Sequence, residues 1–91
     1  MTIDTIRLWR ERAEKIHRKK WDLANMGTLT EAKELAEEIR SFSLYPLESA
    51  AASFFAQAQS KSFDDNKLAV LHTDFYRLLR IIRDEEVRFT I

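Results

Sequence analysis

The sequence contains no cysteine, and among its 91 residues there is one glycine, Gly27, and one proline, Pro46. Without cysteine there are no disulfides, thiolate metal ligands or cysteine nucleophiles, and nothing requires an oxidising compartment. A sandwich or barrel needs turn residues about every 8–12 positions, which two such residues cannot supply. The shortage of glycine and proline therefore favours a few long helices, and the lack of cysteine favours a cytoplasmic protein.

Long hydrophobic runs are also missing. No stretch approaches the roughly 20 apolar residues that span a bilayer, and residues 1–4 lack the basic start and apolar run of a signal peptide. We therefore expect neither secretion nor a membrane location. Hydrophobic residues make up 45% and charged residues 33% of the chain, which is typical of a folded globular chain, so residues 1–91 are expected to form a single domain.

The chain also has no excess of either charge, because its 15 basic and 15 acidic residues give a net charge of zero. Only residues 1–26 carry a small excess of basic residues. A nucleic-acid-binding protein usually carries a strong basic excess, so we expect no nucleic-acid partner.

The apolar residues of the first two segments are spaced three or four apart, as on one face of a helix. The first helix is predicted over residues 3–26, with Lys20 at one position of its apolar stripe and Gly27 closing it in the left-handed conformation. The second begins at residue 28 or 29, where Thr28 and Glu31 have the spacing of a capping box, and Pro46 stops it by about Tyr45. The predicted stripes are Ile6, Trp9, Ala13, Ile16 and Leu23, then Ala32, Leu35, Ala36, Ile39 and Phe42 or Ser43.

Two further helices are predicted in the second half of the chain. The third starts at Pro46 and is short and apolar. The fourth is capped by Asp64 or Asp65 and runs to about Glu86. Residues 87–91 alternate like a strand and are expected as an extended tail. The stripes are Leu47, Ala50, Ala51, Phe54, Phe55 and Ala58, then Leu68, Leu71, Phe75, Leu78, Leu79 and Ile82.

Four helices with short links predict an all-α fold, a single-domain antiparallel four-helix bundle of up-down topology with an extended C-terminal tail. The second helix, from Gly27 to Ser41, resembles the second helix of histidine phosphotransfer (Hpt) domains. In that family this helix carries a phospho-accepting histidine in the order His-x-x-Lys-Gly. Here Glu37 stands at the histidine position, Arg40 at the lysine and Ser41 at the small residue.

The resemblance implies a degenerate Hpt domain that no longer transfers phosphate. Imidazole holds a phosphoryl group through nitrogen, whereas a phosphoryl group on Glu37 would be an acyl phosphate. Forming it needs an activating metal and a donor site, and the sequence displays neither. A docking surface for a receiver domain or histidine kinase of a two-component system would survive. We expect it to comprise Lys33, Glu37, Arg40, Ser41, Leu44 and Tyr45, because not all the apolar residues after Ile39 fit one inward face. The alternative interpretation of Glu37 is a solvated carboxylate paired with Lys33 or Arg40.

Other candidate sites are weak. His17 reads as part of a solvated basic face, because the bulky Trp21 follows where a small residue is needed. His72 lies at the edge of the fourth stripe and reads as a partly buried histidine. Two distant histidines predict no metal site, and the lack of a glycine-rich loop gives a nucleotide no binding motif. We expect no enzyme activity and no cofactor.

Three functions stay open from the sequence. The first is the Hpt-like protein-binding module of a two-component system. The second is a structural adaptor or small regulatory subunit of unrelated ancestry, assembling through the first helix. The third is a nucleic-acid-associated protein using the basic residues of the first helix, which the neutral total charge disfavours. Those residues are Arg7, Arg10, Arg18, Lys19 and Lys20.

Overall fold

The computed structural model describes residues 2–90, and within them it contains four α-helices and no strand. The helices are α1 (Ile3–Arg18), α2 (Met26–Arg40), α3 (Leu47–Ala58) and α4 (Asp65–Thr90), with a 3-10 turn at Leu23–Asn25 between α1 and α2. The all-helical prediction with four helices is therefore confirmed. No helix among residues 2–90 is both long and apolar enough to cross a bilayer.

α1 begins where predicted and ends earlier. The Thr2 side chain accepts a hydrogen bond from the Thr5 amide and caps the helix. The helix stops at Arg18, because Trp21 folds back and its Nε1 donates to the carbonyl of Ile16 at 3.1 Å. The predicted helix to residue 26 is wrong. Lys20 and Leu23, placed on its stripe, are both exposed.

α2 begins before the predicted capping box. Its helical conformation starts at Met26, so Gly27 lies inside the first turn with no positive φ. Thr28 is buried and its hydroxyl has no partner among the described residues. Glu31 binds Lys19 of the α1–α2 connection at 2.7 Å instead of a backbone amide. The capping box and the left-handed Gly27 are therefore both wrong.

The end of α2 also comes earlier than the proline suggested. The helix stops at Arg40, and residues 41–43 form a turn in which Ser43 has a φ of 53°. A left-handed residue just after the last turn is a common way to end a helix, here with serine in place of glycine. Pro46 stands immediately before α3 as its N-cap residue, one position outside the first turn in which it was predicted.

α4 is longer than predicted. Asp64 Oδ1 accepts a hydrogen bond from the Lys67 amide at 2.7 Å and starts the helix, as expected. Helix continues to Thr90, so the predicted extended tail is wrong for residues 87–90, and Ile91 lies outside the described residues. Within this last part of α4, Arg88 pairs with Glu85 at 2.8 Å, and Thr90 Oγ1 donates to the Glu86 carbonyl at 2.7 Å.

The buried side chains of all four helices form one hydrophobic cluster. α1 packs against α2 and α4, and α3 packs against the same two helices. Most predicted stripe residues are buried, whereas Phe42 is 45% exposed. The largest fully buried side chains are Trp9, Phe54, Phe75, Ile6, Leu35, Ile39, Leu47, Leu68, Leu71, Leu78, Leu79 and Ile82.

Candidate functional site

Of the six residues predicted to bind a partner, five lie in the last turn of α2 or in the connection that follows, and Lys33 lies near the middle of the helix. We call them the α2 end surface: Lys33, Glu37, Arg40, Ser41, Leu44 and Tyr45. Glu37, Ser41 and Tyr45 are exposed, Tyr45 to 79%. Lys33 and Arg40 are half-buried, and Leu44 packs against the core.

Glu37 and its neighbour Glu38 face different surroundings, because adjacent residues on a helix diverge by about 100°. Glu38 Oε2 accepts hydrogen bonds from the Trp9 indole at 2.6 Å and from Arg12 at 2.9 Å, and so ties α2 to α1. Glu37 has no ion pair with any residue in the range 2–90. The pairing of Glu37 with Lys33 or Arg40 that the alternative interpretation required is therefore not formed.

Arg40 points to α3 rather than to Glu37. Its guanidinium lies over the ring of Phe55, 4.5 Å from the centroid, in a cation–π contact. The side chain that the sequence resemblance aligned with the Hpt lysine is therefore held in the α2–α3 packing, and the Glu37 carboxylate has no ion pair with it.

Glu37 lies in the last turn of α2, whereas the predicted helix, from residue 28 or 29 to about Tyr45, placed it near the middle. The carbonyl end of a helix carries partial negative charge, so a carboxylate there is unfavourable by a few tenths of a kcal/mol. Ser41 follows one turn later, and its hydroxyl donates to the Glu38 carbonyl at 2.7 Å. This bond holds the small side chain against the backbone, and both Glu37 and Ser41 are exposed.

The α2 end surface reaches the C-terminal part of α4. Leu44 and Tyr45 line an open cavity of about 330 Å³ together with Glu85, Arg88 and Phe89. Glu85 is buried and pairs with Arg88. In addition to the exposed carboxylate of Glu37, the region thus presents the exposed rings of Tyr45, Phe42 and Phe89.

A second cluster, which the sequence analysis missed, joins the end of α1 to α4. Four rings stand in a row, and we call them the ring stack: Tyr76, His17, His72 and Trp21. The His17 and His72 centroids are 4.4 Å apart, Tyr76 lies 5.0 Å from His17, and Trp21 stacks on His72 at 5.1 Å. Tyr76, His17 and His72 line a shallow cavity of about 230 Å³ together with Thr73.

One sequence signal could have found this cluster. His17 follows the core residue Ile16 and His72 follows the core residue Leu71, so both flank a buried stripe. Residues that flank stripes meet when their helices are neighbours, and α1 and α4 are neighbours. Among residues 2–90 there is no group of three or more histidine, cysteine or acidic side chains placed to hold a metal ion.

Most basic residues of α1 are bound to carboxylates. Arg10 donates to Glu14 at 2.9 Å and to Glu86 of α4 at 3.2 Å, and Arg83 of α4 lies 3.5 Å from Glu14. The hydrogen bond from Arg10 lowers the pKa of Glu14. Four of the five basic residues named for nucleic acid are in ion pairs: Arg7, Arg10, Arg18 and Lys19.

The α2 end surface and the ring stack are thus the two candidate sites among the described residues, since the charged groups between α1 and α4 pair with one another. Comparisons with models of protein families, with curated proteins and with solved structures gave no match to this chain.

Proposed function

We propose that this chain is a non-catalytic protein-binding module that docks its partner on the α2 end surface. The observation that carries the proposal is the free carboxylate of Glu37, exposed beside Ser41 and one connection away from the exposed ring of Tyr45. Its neighbour Glu38 has a structural task in the α1–α2 contact, and Glu37 has none. Exposed aromatic rings are typical of protein interaction sites.

The proposed arrangement is an antiparallel bundle of up-down topology. The contacts between α1 and α4 support this arrangement. Arg10 in the middle of α1 contacts Glu86 near the end of α4, whereas His17 at the end of α1 contacts His72 in the first half of α4. The α1–α2 side supports the same arrangement: Trp9 meets Glu38, and Lys19, just after α1, meets Glu31. Short connections between sequential helices favour this topology.

The proposed partner is a receiver domain or a histidine kinase of a two-component system. The resemblance of residues 27–41 to the Hpt helix supports it, and Glu37 would place a permanent negative charge where a phosphohistidine stands in that family. The small Ser41 lets a partner backbone approach this charge. The position of Glu37 in the last helical turn is a departure from the expected mid-helix position, so the docking angle would differ.

The same residues support a role without catalysis. A phosphoryl group on Glu37 would be an acyl phosphate, which needs a metal and donor groups to form and to be transferred. Arg40, at the position of the Hpt lysine, is engaged with Phe55 and does not face Glu37. Binding is therefore the function that this surface supports best.

The proposal is tested by locating the binding surface. The ¹⁵N-labelled chain is titrated with purified receiver domains from the organism that encodes it, and amide shifts are followed by NMR. We expect the largest shifts at residues 37–45. Shifts confined to α1, or no binding by any receiver or kinase domain, would contradict the proposal.

The adaptor alternative has one observation in its favour, which is Leu8 on α1, 59% exposed. An exposed leucine on the helix that was expected to mediate assembly fits an interface with a second protein. Leu8→Glu separates the two functions, because it would abolish adaptor assembly and leave binding at the α2 end surface unchanged.

A further inference from the structure

The ring stack closes the C-terminal end of α1. The last carbonyls of a helix have no partner within it, and here two ring nitrogens from outside the helix reach them. Trp21 Nε1 donates to Ile16 O at 3.1 Å, and His72 Nε2 lies 3.0 Å from His17 O. A carbonyl only accepts, so His72 carries its hydrogen on Nε2 and donates. The last turn of α1 is thus held by these two rings, one of which comes from α4.

Neutral His17 suits this position better than charged His17. Its ring is partly buried between His72 and Tyr76, and Arg83 is the further positive group that acts on it from α4. Burial, followed by the charges of His72 and Arg83, lowers the pKa of His17. The charged groups beside it on α1 are Glu14, already bound by Arg10 and Arg83, and Arg18; on the connection, Asp22 follows Trp21.

We propose that the ring stack is a pH-sensitive joint between α1 and α4, in which neutral His17 holds the last turn of α1 in place and protonated His17 releases it together with Trp21. The joint opens locally, because the ion pairs of Arg10 with Glu86 and of Glu14 with Arg83 hold α1 and α4 together further along. The proton enters on a ring nitrogen of His17, no covalent bond is broken, and the hydrogen bonds of Trp21 to Ile16 O and of His72 to His17 O are the contacts that loosen.

The direction of the pH dependence follows from linkage. In the unfolded chain His17 has the ordinary imidazole pKa of 6.5, and in the folded protein its pKa lies lower. Its contribution to stability is therefore complete above about pH 6.5 and is lost as the pH falls through the lower pKa of the folded state. Acidification, not alkalinisation, opens the joint.

The test is an NMR titration of the full chain between about pH 8 and pH 4. We expect the His17 ring signals to titrate with a midpoint below 6.5, and the Trp21 indole N–H signal to move with the same midpoint. The Trp9 indole N–H, bound to Glu38 and outside the ring stack, is the internal control and should not move with the His17 midpoint. A His17 midpoint at or above 6.5, or a Trp21 signal that ignores His17, would overturn the proposal.

Two variants identify the cause. His72→Gln keeps an N–H donor for His17 O and removes the titratable ring, and Arg83→Gln removes the second positive neighbour. Each should raise the His17 midpoint, and a shift of one pH unit corresponds to a tenfold change in proton affinity. If one variant fails to fold, the other still gives the answer. An unchanged midpoint in the variants that fold would overturn the proposal.

Discussion

The indole Nε1 of Trp9 donates a hydrogen bond of 2.6 Å to Oε2 of Glu38 and thereby joins two helices through side chains 29 positions apart. Trp9 is buried in the core, so this N–H has lost its contact with water and needs a protein acceptor. Glu37, one position earlier, makes no such contact. The two adjacent carboxylates therefore form a matched pair for mutagenesis.

Glu38→Ala should destabilise the protein by about 1–2 kcal/mol, because it leaves the buried indole N–H without its acceptor. Glu37→Ala should change stability by no more than a few tenths of a kcal/mol, and in the stabilising direction, because it removes a negative charge from the C-terminal turn of a helix. Urea denaturation of both variants measures the difference. Equal losses from the two substitutions would show that the Trp9 contact does not form.

Leu35→Ala and Ile39→Ala should each destabilise the fold by about 2–5 kcal/mol, because both side chains are fully buried in the α2 face of the core. Glu34→Ala, on the exposed side of the same helix, is the control and should have little effect. Thermal melts followed by circular dichroism give the comparison. Unchanged melting temperatures for both apolar variants would mean that a different face of α2 packs against the core.

The positions of these core residues were predictable from the sequence, because burial follows the helical period and needs no knowledge of the neighbours. Helix ends were less predictable, since contacts with other segments decide them. Trp21 ends α1 by bonding to Ile16 O, and Thr28 is drawn into the core and does not act as a cap. Val87 and Phe89 alternate like strand residues, yet both are exposed and lie in α4.

The candidate sites show the same division. The exposure of Glu37, Ser41 and Tyr45 was predictable from the phase of α2 and from the crowding of apolar residues after Ile39. The stacking of Arg40 on Phe55 was not, because it depends on how α3 crosses α2. The contact of His17 with His72 joins residues 55 positions apart and depends on the relative height of α1 and α4.

Ser43→Gly should stabilise the protein by up to about 1 kcal/mol. Ser43 has a φ of 53°, where a side chain is strained and glycine is not. Ser41→Gly is the control, because Ser41 has a φ of −70° and a ψ of −14°, where glycine gains nothing and adds chain entropy to the unfolded state. Denaturant midpoints that move the same way in both variants would contradict the left-handed turn after α2.

The chain should accept no phosphoryl group from a phosphorylated receiver domain or from an autophosphorylating kinase, because on the proposed Hpt-like surface Glu37 offers a carboxylate and no imidazole nitrogen. Radiolabelled transfer followed by gel analysis checks this. Glu37→His should regain partial labelling at most, since Ser41 and Arg40 still differ from the Hpt glycine and lysine. Acid-labile label on His17 or His72 of the unmodified chain would contradict this account.

The most direct test of the docking surface is the affinity of Ser41→Trp for a receiver domain, measured by calorimetry against the unmodified chain. The indole would fill the space beside Glu37 while the melting temperature stays nearly constant, because position 41 is exposed. Ser62→Trp, exposed in the connection between α3 and α4, is the matched control. We predict at least a tenfold loss of affinity, about 1.4 kcal/mol, for Ser41→Trp and none for Ser62→Trp. Unchanged affinity in a folded Ser41→Trp protein would contradict the claim that partners dock at the end of α2.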